Sequence, residues 1–293
     1  MRVIFKPILA GCLTVLILSG CTSLTRLYFQ PQTVWVQTPE RAGIEYRDVW
    51  LTAADGTQLH AWLLLPSAPA DEPHSVVLYL HGNGENISTH TRSVFWLAQA
   101  GYPVLALDYR GYGASQGVSL MPSVLQDVVA AADWLRTAYP GQQLVVLGQS
   151  MGAALAVDFV APYGAHFRVD LLIADAPFSG FRSIAADMLQ RSWIGYLLSP
   201  LTLLIPTRWD PVDAAVDIRV PTLILHSPDD RIIPQLQGRT LAAAVPEPYR
   251  CFVSTQGPHI ATFHYPQYRE IAAQFIRNGE CPATLDSVPF TAE

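Results

Sequence analysis

The sequence predicts an α/β fold with a mainly parallel central sheet and an antiparallel N-terminal edge. Three observations predict it. Short continuous apolar runs such as Val76–Leu80, Val104–Leu107 and Thr222–Leu225 alternate with helical patterns of 10–17 residues, the order of βαβ units. Those runs lack polar alternation, as strands buried on both faces do. At the N-terminal side, two strand-like runs, Val49–Thr52 and Thr57–Leu65, flank Ala54-Asp55-Gly56, a hairpin signal.

The elements follow in order. Val76–Leu80 is a strand, followed by His81-Gly82-Asn83-Gly84-Glu85-Asn86. Val94, Leu97 and Ala98 form a helical face that ends at Gly101. Val104–Leu107 is a strand closed by Asp108-Tyr109-Arg110-Gly111-Tyr112-Gly113, and a helix runs from about Pro122 to Ala138, with proline suited to a first turn. Leu144–Leu147 is a strand and 153–160 a helix. Leu171–Ala174 is a strand ending at Asp175-Ala176-Pro177. Residues from about 180 to 216 break the alternation and are expected to form a lid insertion. Within it, Trp193 to Ile205 is strongly apolar; a lid, an acyl-chain wall, a membrane-facing surface and plain helix core all fit that composition. The strand Thr222–Leu225, a helix over Leu236–Val245, the strand Arg250–Val253 and a helix over Tyr268–Ile276 complete the domain, which is expected to span 46–293.

Half of the 293 residues are hydrophobic and 14% are charged, so a large core is expected and disorder is not. Beyond Cys21 there are 16 arginines, no lysine and 24 acids, a balance of −8 that argues against a nucleic-acid partner. A monomer is expected.

The first twenty residues read as a targeting segment rather than fold. Arg2 and Lys6 form a positive region, and Ile8–Leu18 is an apolar stretch too short for a comfortable membrane span. Leu18-Ser19-Gly20-Cys21 resembles the lipobox of bacterial lipoproteins. The resemblance implies cleavage before Cys21, lipidation of its sulfur and a membrane partner through that anchor. Thr22 after the cysteine implies sorting to the outer membrane of the cell envelope. Residues 21–45 then read as a lipidated tether lying against the domain. In an oxidising envelope the remaining pair, Cys251 and Cys281, favours a disulfide. Neither cysteine has a close-spaced partner of the kind a metal site needs, and no metal is expected.

The chemistry centres on Gly148-Gln149-Ser150-Met151-Gly152, set between a strand and a helix. In that context the turn presents the serine hydroxyl at the end of a sheet, beside the helix N–H groups. A nucleophilic serine needs a histidine to take its proton and a carboxylate to orient the histidine. His259 in Gly257-Pro258-His259 follows the last strand and is preferred to His264. Asp229 and Asp230, after Thr222–Leu225, are both candidates for the acid, with Asp175 a weaker rival. His81 and His226 are expected to shape loops. The oxyanion donors are expected to be the N–H groups of Met151 and Asn83. The loop at 81–86 lacks the third glycine of a dinucleotide fingerprint and any Gly-Lys-Ser/Thr, so no nucleotide cofactor is expected.

These motifs, with Asp108 to Gly113 and His226 to Pro234, resemble the α/β-hydrolase superfamily over residues 45–278. They look most like its compact serine aminopeptidase-like or palmitoyl-thioesterase-like branch. There the acid stands four residues after the histidine of the seventh-strand motif, which from His226 lands on Asp230. The resemblance implies an α/β-hydrolase fold, a triad of Ser150, Asp230 and His259, no cofactor, and a small-molecule ester, thioester or other acyl substrate. Glu85 stands where relatives commonly carry glycine, and Pro258 and Ile260 flank the histidine in place of the usual small and amide residues. Glu85 is expected to put a carboxylate near the pocket mouth. A peptidase and a non-catalytic lipid- or partner-binding lipoprotein are the rival readings.

Overall fold

The computed structural model describes residues 25–67 and 75–282. The signal-like segment, Cys21 and the last eleven residues lie outside them. The eight strands are β1 (Tyr46–Thr52), β2 (Gln58–Leu64), β3 (Ser75–Leu80), β4 (Val104–Asp108), β5 (Gln143–Gln149), β6 (Val169–Asp175), β7 (Thr222–His226) and β8 (Arg250–Ser254). They form one sheet in the order β1-β2-β4-β3-β5-β6-β7-β8. β1 and β4 both pair antiparallel with β2, and every pair from β4 to β8 is parallel.

The apolar runs are continuous because each strand feeds two cores. On β3, Val76, Leu78 and Leu80 enter one cluster and Val77 and Tyr79 the other; on β5, Leu144 and Val146 part from Val145 and Leu147 in the same way. Short helices α1 (Ile87–His90) and α2 (Phe95–Gln99) follow β3, and α3 (Ser123–Ala138) follows β4. Helix α4 (Met151–Tyr163) follows β5. Every residue from Met151 to Val160 is buried, so this helix is apolar all round rather than amphipathic. Between β6 and β7 the lid contributes α5 (Phe181–Leu189), α6 (Trp193–Leu198), a 3-10 stretch (Ser199–Leu204) and α7 (Pro211–Ala215). Helices α8 (Gln235–Ala244) and α9 (Pro266–Asn278) flank β8. Among the described residues no helix is long and apolar enough to cross a membrane.

Strand order places the site. From β3 the chain moves outward to β4 and then returns across β3 to β5, so the connections diverge at the carboxyl ends of β3 and β5. Leu80 and Gly148 are registered partners there, which brings the loop after β3 beside the turn after β5.

Residues 25–45 pack on this end of the sheet. Phe29 and Ile44 are buried, and the Asn86 side chain donates to the carbonyls of Gln32 and Val34 at 2.9 and 2.8 Å. At the far edge, Cys251 on β8 is joined to Cys281 by a disulfide with Cα atoms 5.5 Å apart. The bridge closes a loop 30 residues long that contains the His259 segment and α9. By loop-closure entropy it stabilises by about 3–4 kcal/mol. Replacing both cysteines by serine is expected to lower Tm by roughly 6–16 °C, at 2–4 °C per kcal/mol for a chain of this size. Scanning calorimetry of the variant beside the parent checks it; an unchanged Tm would show that the bridge adds nothing to stability.

Candidate active site

Ser150 caps α4 with φ 54° and ψ −119°, a backbone conformation costly for a residue with a Cβ. Its neighbours make that turn possible. A Cβ on Gly152 would run into the carbonyls of Leu80 and His81, and one on Gly148 into the backbone of Gly152 and Ala153. The Ser150 N–H donates to the Asp175 carbonyl at 2.8 Å, which holds the turn against β6.

His259 Nε2 lies 2.9 Å from Ser150 Oγ, and His259 Nδ1 lies 2.6 Å from Asp230 Oδ2. Asp230 Oδ1 accepts the N–H groups of Ile232 and Ile233 at 2.7 and 2.9 Å, which fixes the carboxylate plane. Burial opposes ionisation of Asp230. Hydrogen bonds from His226 and His259 and from the Ile233 N–H outweigh it and hold the carboxyl well below the usual aspartate range. With Nδ1–H donated to that carboxylate, Nε2 presents a lone pair to the serine hydroxyl, the arrangement in which histidine can take its proton.

The rivals are placed elsewhere. Asp229 is exposed and its own N–H is tied back to Ser227 Oγ. His264 is exposed. Asp175 is fully buried beneath the turn, accepting from Gln149 Nε2 at 2.8 Å and Thr262 Oγ1 at 2.7 Å. It thereby links the serine turn to the loop that carries His259. Residue-by-residue motif reading missed this brace, because Gln149 and Thr262 carry no signal of their own. His226 is buried, with Nε2 2.9 Å from the Ile233 carbonyl and 3.5 Å from Asp230.

Asn83 follows β3 on the other side of the site. Its side-chain oxygen accepts from Tyr112 OH, from the Gln30 N–H and from the Gly84 N–H, all at 2.9 Å. The side chain thus fastens the loop to the 108–113 segment and to the N-terminal stretch. Asn83 and Met151 line the same cleft as Ser150 and His259. That cleft, about 500 Å3, is walled by Tyr28, Phe178, Phe181, Ile184, Met188 and Ile233. No aspartate, glutamate, arginine or lysine is among the lining residues. Glu85 is exposed two residues beyond Asn83 and is not among the residues that line the cleft. Tyr28 and Gln30 belong to a stretch without periodicity, and nothing in the sequence marked them as cleft residues.

Behind Asn83, Asp108 is buried and accepts the Ile87 N–H at 2.9 Å, with His81 Nε2 3.5 Å away. Burial pushes its pKa up to about 7, against the Ile87 hydrogen bond. An unfolded aspartate titrates near 3.9, roughly. Between about pH 4 and 7 the folded state keeps a proton that the unfolded chain has lost, so stability falls as pH rises through that window. The loss is on the order of 4 kcal/mol for a shift of this size. Asp108→Asn is expected to flatten that slope and to gain most over the parent above pH 7. Thermal melts from pH 4 to 8 check it; the same slope in both proteins would assign it to other groups.

The chain matches the family model described as serine aminopeptidase, S33, over residues 71–211. It is 32% identical to the uncharacterized protein YfhR of Escherichia coli (strain K12), over 78% of this chain and 79% of that one. It is 30% identical to the alpha/beta hydrolase domain-containing protein WAV2 of Arabidopsis thaliana, over 77% of this chain and 76% of that one. The chain belongs to the α/β-hydrolase superfamily. Among solved structures, the Pyrococcus furiosus esterase Pf2001 superposes with a TM-score of 0.70 at 22% identity, covering 85% of this chain and 98% of that one. This α/β-hydrolase therefore has the fold expected from the order of its motifs, with the eight-stranded mixed sheet and antiparallel edge. Among its described residues no group of three or more His, Cys, Asp or Glu is placed to hold a metal.

Proposed function

We propose that this hydrolase is a lipid-anchored serine hydrolase that cleaves carboxylic esters or thioesters through an acyl-enzyme. One observation carries the reading: the Ser150–His259–Asp230 hydrogen-bond chain opens directly onto a cleft with apolar walls. Ser150 Oγ attacks the acyl carbonyl while His259 Nε2 takes its proton. The carbonyl oxygen becomes an oxyanion held by the N–H groups of Met151 and Asn83. His259 then gives the proton to the leaving alcohol or thiol, and in the second half activates the water that releases the acid. Asp230 keeps the imidazole in the required tautomer and stabilises its charged form. No step requires a metal or cofactor.

The lipobox at Leu18–Cys21 supports acylation of Cys21, and Thr22 after it supports placement in the bacterial cell envelope at the outer membrane. A mass spectrum of the mature N-terminal peptide tests this part alone; an unmodified Cys21 would remove the anchor from the proposal.

A peptidase reading has the family description in its favour. It would need an anionic group to hold the substrate amine, and the cleft walls provide none. The discriminating experiment compares p-nitrophenyl acyl esters of two to sixteen carbons with aminoacyl amides, using residues 22–293. Ester hydrolysis with a defined optimum in chain length and negligible amide hydrolysis is expected. The reverse ranking would overturn the ester assignment in favour of the peptidase.

A further inference from the structure

The stretch from Trp193 to Ile205 is not helix core, one of the readings its composition allowed. Trp193 is 75% exposed, Leu197 and Leu203 67% each, and Leu204 70%. Ile194, Tyr196, Leu198 and Leu201 are exposed beside them. Isolated apolar side chains are ordinary on a protein surface, but a concentration on one short helix and the 3-10 stretch after it marks a surface with a partner.

Three observations say what that partner is. First, the patch is continuous with the mouth of the cleft. Met188 and Ile232 are both exposed and both line the cleft. Arg191, at the start of the apolar stretch, donates to the Ile232 carbonyl, and α6 packs back on the end of α5 at Gly195. Second, the apolar stretch itself carries no acid. Residues 188–209 contain Arg191 and Arg208, with Asp187 and Asp210 just outside them, whereas the chain after Cys21 has 16 arginines against 24 acids. Third, the chain arrives at this face. Tyr28 lines the cleft and packs against Phe181 of α5, with the rings tilted and their centroids 4.7 Å apart. Only three residues separate Cys21 from Thr25, where the described body begins, a reach of about 14 Å at full extension.

We propose that the face bearing Trp193, Leu197, Leu201, Leu203 and Leu204 seats in a lipid leaflet, so that the cleft opens onto the bilayer and draws its acyl substrate from the membrane. The docking rests on the exposed face and its orientation on the Cys21 anchor proposed above; the substrate class rests additionally on the hydrolase reading. A partly inserted amphipathic surface gains from its buried apolar side chains and from arginines near anionic headgroups, with Trp193 and Tyr196 suited to the interface. A tether of this reach keeps the body close to the leaflet, on the side where Tyr28 meets α5.

The full chain is reconstituted in vesicles of phosphatidylethanolamine and phosphatidylglycerol, with or without bromine on the acyl chains. Bromine quenches tryptophan only on close approach, so depth rather than attachment is read. Quenching of the parent is expected, and its loss in Trp193→Phe. The double variant Leu203→Glu/Leu204→Glu is expected to lose the quenching. Its hydrolysis of a long-chain ester carried in the vesicles should fall at least tenfold, while that of a water-soluble butyrate ester stays within twofold. The butyrate ester reports both the fold and the hydrolase reading: if no protein cleaves it, that reading fails while quenching still tests docking. An unquenched parent that cleaves butyrate, or quenching unchanged in Trp193→Phe, would overturn the docking. So would a dimer in sedimentation that the glutamate variant abolishes, which would make a second copy the occupant.

Discussion

Ser150→Ala is expected to lower ester turnover by about 10⁴-fold or more and to abolish labelling by a fluorophosphonate probe. His259 Nε2 lies 2.9 Å from the Ser150 hydroxyl. Without it, a water would have to enter the same position. The oxyanion donors proposed above are expected to supply the residual rate, since losing one alone typically costs about 3–4 kcal/mol. The fold is expected to survive, because the Ser150 backbone is held by its own N–H to the Asp175 carbonyl and by the glycine contacts on either side. Turnover should be measured with p-nitrophenyl esters at saturating concentration, with circular dichroism as the control for folding. Full turnover in a folded Ser150→Ala protein would remove the serine from the mechanism and leave the non-catalytic, lipid-binding reading ahead.

The second large effect separates two adjacent carboxylates. Asp230→Asn is expected to reduce kcat by about 10⁴-fold, and Asp229→Asn to leave it within about twofold. Asparagine fits the space of Asp230, and its oxygen can keep the N–H groups of Ile232 and Ile233. Its amide nitrogen then stands 2.6 Å from His259 Nδ1, where Oδ2 had been. A donor facing Nδ1 forces the proton onto Nε2, and the imidazole can no longer accept one from Ser150. Binding is little affected, so KM should change far less than kcat. Asp229 is exposed and makes no contact with the imidazole, so its charge is screened by solvent. Equal losses in the two variants would mean that charge near the loop, rather than the hydrogen bond to Nδ1, supports the reaction. The depressed pKa of Asp230 gives a further expectation. The parent should keep its carboxylate, and hence its preferred tautomer, throughout the pH range in which the fold is stable.

Much of this molecule is legible in the order of its residues because the informative signals are local. A strand buried on both faces must be apolar through its middle, and Val76–Leu80, Val104–Leu107 and Leu144–Leu147 are. A serine held at positive φ between a strand and a helix needs glycines where backbones touch, and Gly148 and Gly152 stand there. Each chemical group follows the carboxyl end of a strand, so parallel strand order alone carries Ser150, Asp230 and His259 to one edge of the sheet. Residue spacing left Asp229 and Asp230 open, and the resemblance to known hydrolases pointed to Asp230. In three dimensions the difference is burial and direction: one faces His259 and the other faces water.

Other features depended on contacts that no local pattern encodes. The brace of Gln149, Asp175 and Thr262 joins positions up to 113 residues apart in chain and is visible only once β5, β6 and the His259 loop lie side by side. Tyr28 and Gln30 reach the cleft because residues 25–45 are strapped to the loop after β3, an attachment made by single side chains such as Asn83 and Asn86. The fate of Trp193–Ile205 is the clearest case. Its composition suits a core helix as well as an exposed one, since hydrophobicity states how much a segment gains by burial but not whether a neighbour exists to bury it. The sequence by itself determined the sheet, the turn at Ser150 and the chain order of the candidate triad, because those follow from side-chain periodicity and backbone sterics. Only the tertiary structure decided which apolar residues are left without protein against them, because that depends on how many faces the rest of the chain can cover.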